Sequence, residues 1–150
     1  MPKGRIIRGD SGGPFKATGR DTEGRFDFFV TDVEFLTGPP LHTHTVQEDT
    51  FYVIEGVMTV QLGDEIAELA PGDFASAPPG VPHSFTNADA KQKNVRMVNV
   101  MTPGIGFDRF IEQFLALQKG GAEGAEMVRL SQEYGVQVVG PPLSVKLGLS

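Results

Sequence analysis

Between residues 25 and 101 the chain alternates short apolar runs with turn residues, and the apolar positions recur with a period of two. "RFDFFVTDVEF" (25–35) is rich in Phe and Val, which suit a pleated, half-buried surface, and "TGPP" (37–40) stops it. "FYVIEG" and "VMTVQL" predict a strand, a break at Gly56 and a further strand; in the second, Met58, Val60 and Leu62 share one face and Thr59 and Gln61 the other. "GDE" (63–65) reads as a hairpin turn that returns through "IAELA" (66–70). "PGD" (71–73) turns into the short strand "FASA", and the stiff bend "PPGVP" (78–82) leads to "HSFTN" (83–87). After the polar loop "NADAKQKN" (87–94), "VRMVNVM" (95–101) reads as the last strand of the barrel. With an early strand somewhere in the polar, Gly-rich residues 1–24, the total is seven or eight.

Past "TPG" the period changes. Phe107, Phe110, Ile111, Phe114 and Leu115 are spaced as the apolar stripe of a helix over 106–119, which Gly120 and Gly121 end. A weaker helix covers "AEGAEMVRLSQEY", closed by Gly135, and "VQVVGPPL" trails off as an extended tail. The first helix either packs on the outside of the strands, covers the mouth of a barrel or meets a partner subunit. Strands followed by helices, without βαβ alternation, predict an all-β antiparallel barrel or jelly roll with C-terminal helices appended. The expected organisation is an N-terminal arm (1–24), a β-barrel (25–103), and helices and tail (104–150) belonging to the same domain. The chain shows neither repeats nor a linker.

Composition narrows the function. At 150 residues the chain can bury a core without staples, and its 39% hydrophobic and 21% charged residues are those of a globular domain. The net charge of -6, with Lys and Arg scattered, argues against a nucleic-acid partner. No apolar run reaches the roughly 18 residues of a membrane span. The start "MPKGRIIRGDSGGPF" lacks the apolar block of a signal peptide, so a cytoplasmic location is expected. With no cysteine there are no disulfides, thiolate nucleophiles or Cys-based zinc sites.

The candidate chemistry lies in the three histidines. "LHTHTVQEDTFYVIEG" (41–56) holds His42 and His44, which point the same way if they lie on a strand. His83 starts another strand directly after the Pro-Gly bend, and an antiparallel barrel can bring it opposite the pair. Glu48 and Asp49 follow a short turn, and one of them can swing back. Three imidazoles and one carboxylate suit a divalent first-row metal and leave positions open for water, oxygen or substrate.

These residues carry a resemblance to the cupin superfamily. Its second motif, G-x5-P-x-G-x2-H-x3-N, is met at every position by Gly72, Pro78, Gly80, His83 and Asn87. Its first motif, G-x5-H-x-H-x(3 or 4)-E-x6-G, is met by His42, His44 and Gly56. Leu36 stands where the family has its leading Gly, with Gly38 two residues late, a change expected only to alter the turn. Counting back from Gly56 puts the carboxylate at Asp49, where the family has Glu; counting forward from His44 puts it at Glu48.

Beyond residues 38–87, "TPGIGFDRFIEQF" and "EYGVQVVGPPL" are similar to the C-terminal extension of small, single-domain quercetin-dioxygenase-like cupins. The resemblance implies a homodimer and a mononuclear site with His42, His44, His83 and Asp49 as metal ligands. The metal expected there is one divalent ion out of Fe, Ni, Mn, Co, Cu and Zn, and the resemblance implies that Asp49 (or Glu48) doubles as general base. The implied activity is a dioxygenase acting on a small enolic or aromatic, flavonol-like compound. A non-catalytic ligand-binding cupin and a metal-dependent isomerase or decarboxylase are the alternatives. Phe28, Phe35, Phe51, Tyr52, Phe74, Phe85, Met58 and Met97 are expected to fill the core. Phe85 is singled out because it shares a strand face with His83.

Overall fold

The computed structural model describes residues 3–9 and 14–149; those parts of the expected arm at 1–2 and 10–13 lie outside the described residues. In chain order the elements are β1 (Phe15–Ala17), β2 (Asp27–Glu34), β3 (Pro40–His44), β4 (Glu48–Glu55), β5 (Met58–Leu62), β6 (Glu65–Leu69), β7 (Phe74–Ala77), β8 (His83–Thr86) and β9 (Asn94–Thr102). They are followed by α1 (Phe107–Lys119), α2 (Gly124–Glu133), β10 (Val136–Pro142) and α3 (Leu143–Lys146). Two antiparallel five-stranded sheets face each other, in the orders β1-β2-β9-β4-β7 and β10-β3-β8-β5-β6. This is the jelly-roll architecture expected from the alternation.

The core between the sheets follows from the period of two. Val33, Phe51, Val53, Met58, Val60, Val95 and Met97 alternate inward along four strands and are almost fully buried. Each such side chain contributes about 1.5–3 kcal/mol on leaving water. Across the first sheet, Phe29 on β2, Asn99 on β9 and Phe51 on β4 lie in one register row, and Met101 on β9 sits opposite both Asp27 and Asp49 in the next.

Three differences from the sequence reading have physical causes. The tail is a strand: β10 pairs with β3, setting Val136 opposite His44 and Val138 opposite His42, so the C-terminal segment closes the histidine strand on its outer edge. Tyr52 and Phe74 are cross-strand partners on the outer face of their sheet, with Phe74 64% exposed, and Phe35 is exposed as well; none of the three fills the core. Leu115, 55% exposed, falls off the helical stripe, while Phe107, Phe110, Ile111, Phe114 and Leu117 pack with Leu130, Tyr134 and Val136 into a second, smaller core.

The turns explain two motif positions. Leu36, in place of the family glycine, has φ +62°, a left-handed conformation that disfavours a side chain by roughly 1–2 kcal/mol. The glycine preferred there is thus a backbone requirement that this chain meets with a strained leucine. Gly38 has its own reason, because a Cβ would collide with the Phe85 carbonyl oxygen.

Candidate metal centre

His42 and His44 project from β3 into the barrel, and β8 sets His83 directly across the ladder from His42. The imidazole centroids are 4.3 Å apart for His42–His83, 4.9 Å for His42–His44 and 5.0 Å for His44–His83. The two motif loops are bound to each other: the Gly80 N–H of the Pro-Gly bend donates to the His44 carbonyl at 2.8 Å. Gln47, buried in the turn between His44 and Asp49, donates its Nε2 to the Pro103 carbonyl at 2.9 Å and so ties that turn to the end of β9.

Asp49 is the carboxylate that joins them. Its Oδ2 lies 3.2 Å from His83 Nε2 and 3.6 Å from His44 Nε2. One ligand atom from each of His42, His44, Asp49 and His83 falls within 4.8 Å of all the others, and all four residues are buried. Glu48 lies outside this group. It is the first residue of β4, half-buried, and strand alternation turns it to the face opposite Asp49.

The donor chemistry fits a cation. His42 and His83 each place Nδ1 against the backbone carbonyl two residues earlier, Pro40 O at 2.8 Å and Val81 O at 2.9 Å. A carbonyl only accepts, so Nδ1 donates in both rings and Nε2 is the nitrogen left to face the cluster. At His83 that nitrogen lies 3.2 Å from the Asp49 carboxylate, a placement that suits two ligands of one cation. His44 is buried with neither ring nitrogen in a hydrogen bond, which is costly for a polar side chain left without a ligand.

The electrostatics agree. Burial, then the positive charge that His83 and His44 would carry, lowers His42 to about 3, so its ring is neutral and ready to coordinate. Burial works to raise Asp49, but the facing imidazoles of His44 and His83 outweigh it and hold the carboxyl at about 2.

The cluster opens on a cavity of about 730 Å³. His42, Asp49 and Asn99 line its polar part; Phe29, Phe85, Phe107, Ile111 and Pro39 form apolar walls. Lys16, Asp32 and Arg96 also line it, the last two exposed and joined by an ion pair of 2.9 Å. Phe85 thus faces the cavity, as its spacing from His83 predicts. The first turn of α1 supplies a wall: Phe107 lies 5.9 Å from both the Phe29 and His44 rings. The rest of α1 packs on α2 and β10, so the helix has two contacts rather than one.

Sequence reasoning missed Phe29, Asn99 and Phe107 as lining residues. Asn99 had a readable signal, as a polar side chain on the inward face that Val95, Met97 and Met101 define.

Fold and site together define a jelly roll of the cupin class with a candidate metal site. Residues 31–101 match the family model described as the cupin domain, and the chain belongs to the cupin superfamily. It is 31% identical, over 103 residues, to quercetin 2,3-dioxygenase of Bacillus subtilis; the match covers 67% of this chain but spans only 29% of that protein. Among solved structures it resembles TT1209 from Thermus thermophilus, with 30% identity and a TM-score of 0.50, covering 53% of this chain and 74% of that one. KdgF from Halomonas sp. shares the fold at 16% identity and a TM-score of 0.58, covering 67% of this chain and 94% of that one. None of the described helices is long and apolar enough to cross a membrane.

Proposed function

We propose that the chain is a metal-dependent enzyme of the dioxygenase type, acting on a small enolic or aromatic compound. His42, His44, His83 and Asp49 would hold one divalent transition metal. The observation that carries this reading is the position of the cluster: its four donors stand at the wall of an apolar cavity, not closed over as a structural metal site would be. The similarity to a quercetin 2,3-dioxygenase supports it.

When bound, the metal would supply Lewis-acid and redox chemistry. The chain's own residues supply the rest. Phe29, Phe85 and Phe107 hold a planar apolar body and exclude water from the cluster. Asp49 presents Oδ2 to the histidines, which leaves Oδ1 to receive the substrate proton. The facing imidazoles hold Asp49 below the usual carboxylate range, and so weak a base suits an acidic proton such as an enolic hydroxyl better than one on carbon.

The test is oxygen uptake with a flavonol by untagged protein, purified without chelator and reloaded in turn with Fe, Ni, Mn, Co, Cu and Zn. Uptake that depends on both metal and substrate supports the reading. Stoichiometric metal without oxygen consumption across enolic and aromatic substrates would leave a binding protein, an isomerase or a decarboxylase.

A further inference from the structure

We infer that Asn99, oriented by Thr31, is a positioning residue that holds the short Asp49 carboxylate with Oδ2 toward the metal and Oδ1 toward the cavity. The inference rests on the metal reading above and concerns a residue outside the four donors.

Asn99 is 2% exposed, one register row from Asp49 on the neighbouring strand. Its Nδ2 lies 3.5 Å from Asp49 Oδ1 and 3.4 Å from the Thr50 carbonyl. Both of those atoms only accept, so this end of the carboxamide is the NH2 group, and the reversed amide would set three acceptors against each other. The other end is fixed independently, since the Thr31 hydroxyl donates to Asn99 Oδ1 at 2.9 Å from β2. Thr31, Asn99 and Asp49 therefore form a directed chain across three adjacent strands.

The chain matters because of the residue it ends on. Asp49 is a methylene shorter than the family's glutamate, so it has less freedom to find the metal. Its two oxygens are also differently engaged: Oδ2 faces His44 and His83, and Oδ1 faces Asn99. A donor on Oδ1 favours one-oxygen ligation through Oδ2, and it keeps Oδ1 at the cavity wall that Asp49 and Asn99 both line.

The test is Co(II) titration of metal-free protein, followed by visible absorption, for wild type, Asn99→Leu, Thr31→Val, Asp49→Ala and the Asp49→Ala/Asn99→Leu double variant. Asn99→Leu is expected to weaken Co(II) binding by about 10- to 100-fold, the range for an outer-shell partner, and to change the absorption bands. Thr31→Val, which removes only a hydroxyl, should shift both in the same direction by less. In the Asp49→Ala background Asn99→Leu should have no further effect on affinity, a coupling that a purely structural asparagine would not produce.

Wild-type affinity and bands in both Asn99→Leu and Thr31→Val, or equal losses from Asn99→Leu with and without Asp49, would overturn the inference. If Asn99→Leu fails to fold, Thr31→Val alone carries the test. Failure of the wild type to bind Co(II) would instead sink the metal reading, and this inference with it.

Discussion

His42 and His83 face each other across the β3–β8 ladder, and each donates Nδ1–H to the carbonyl two residues before it in its own chain. The two rings are therefore held in the same orientation by the same local geometry, with both Nε2 atoms turned inward. A strand residue whose ring bonds its own backbone has little rotamer freedom left to lose on coordination, and that is how a short β-segment can hold a metal ligand rigidly.

Removing one of this pair should therefore empty the site. Elemental analysis of protein purified without chelator is expected to find about one divalent ion per chain in the wild type and none retained in His83→Ala, in line with a tetradentate donor set losing an anchored ligand. Equal metal in both proteins would mean that the ion sits elsewhere.

Much of the fold and site was legible because the constraints are local. Alternation gave the strands of the barrel, and the spacing of His42, His44 and His83 around a Pro-Gly bend gave the histidine cluster before any register was known. Long-range pairing was not legible. β10 carries Gly140, Pro141 and Pro142, which speak against a strand, and only its pairing with β3 makes it one. The cavity walls escaped for the same reason: Phe29 and Phe107 meet at 5.9 Å from distant positions in the chain. Phe74 and Tyr52 lie outside the core because a sheet has two faces and aromatic residues suit both.

The choice between Glu48 and Asp49, open in the sequence, becomes a prediction. Glu48→Gln should leave Co(II) affinity within about twofold, since that side chain points away from the cluster. Asp49→Ala should weaken it by more than any outer-shell change, beyond about 100-fold. The reverse order in the titrations would show that the metal draws Glu48 inward.

Asp27 is expected to hold the mouth in shape. Fully buried, it accepts the Gly19 N–H at 2.6 Å, the Ile105 N–H at 3.1 Å and the Phe107 N–H at 3.4 Å, joining the loop after β1 to the start of α1. A carboxylate at a helix N-terminus is favourable in itself, and hydrogen bonds to charged groups contribute about 1.5–3 kcal/mol each. Asp27→Asn should cost at least that amount in urea unfolding and speed amide exchange at residues 105–107. A loss under about 0.5 kcal/mol, with unchanged exchange, would show that packing of Phe107 alone positions the helix.

Acid should weaken the metal-free protein well before its carboxylates titrate. His42 has an ordinary value of 6.5, and burial followed by its two histidine neighbours takes it to about 3 in the fold. Between those values the unfolded chain binds a proton that the folded chain refuses. Stability from this group is thus complete above pH 6.5 and falls as the pH drops through the window, by up to about 1.4 kcal/mol per unit.

Asp49 acts in the same direction but later. Held at about 2 against 3.8, it contributes stability that is lost only as the pH falls below about 4. The urea midpoint of chelator-treated protein should therefore already fall between pH 6.5 and 5, and His42→Gln, which cannot take up a proton, should flatten that part of the curve. A wild-type midpoint constant from pH 7.5 to 5 would show that the cluster opens to water when no ion is present, leaving His42 as free to protonate in the folded chain as in the unfolded one.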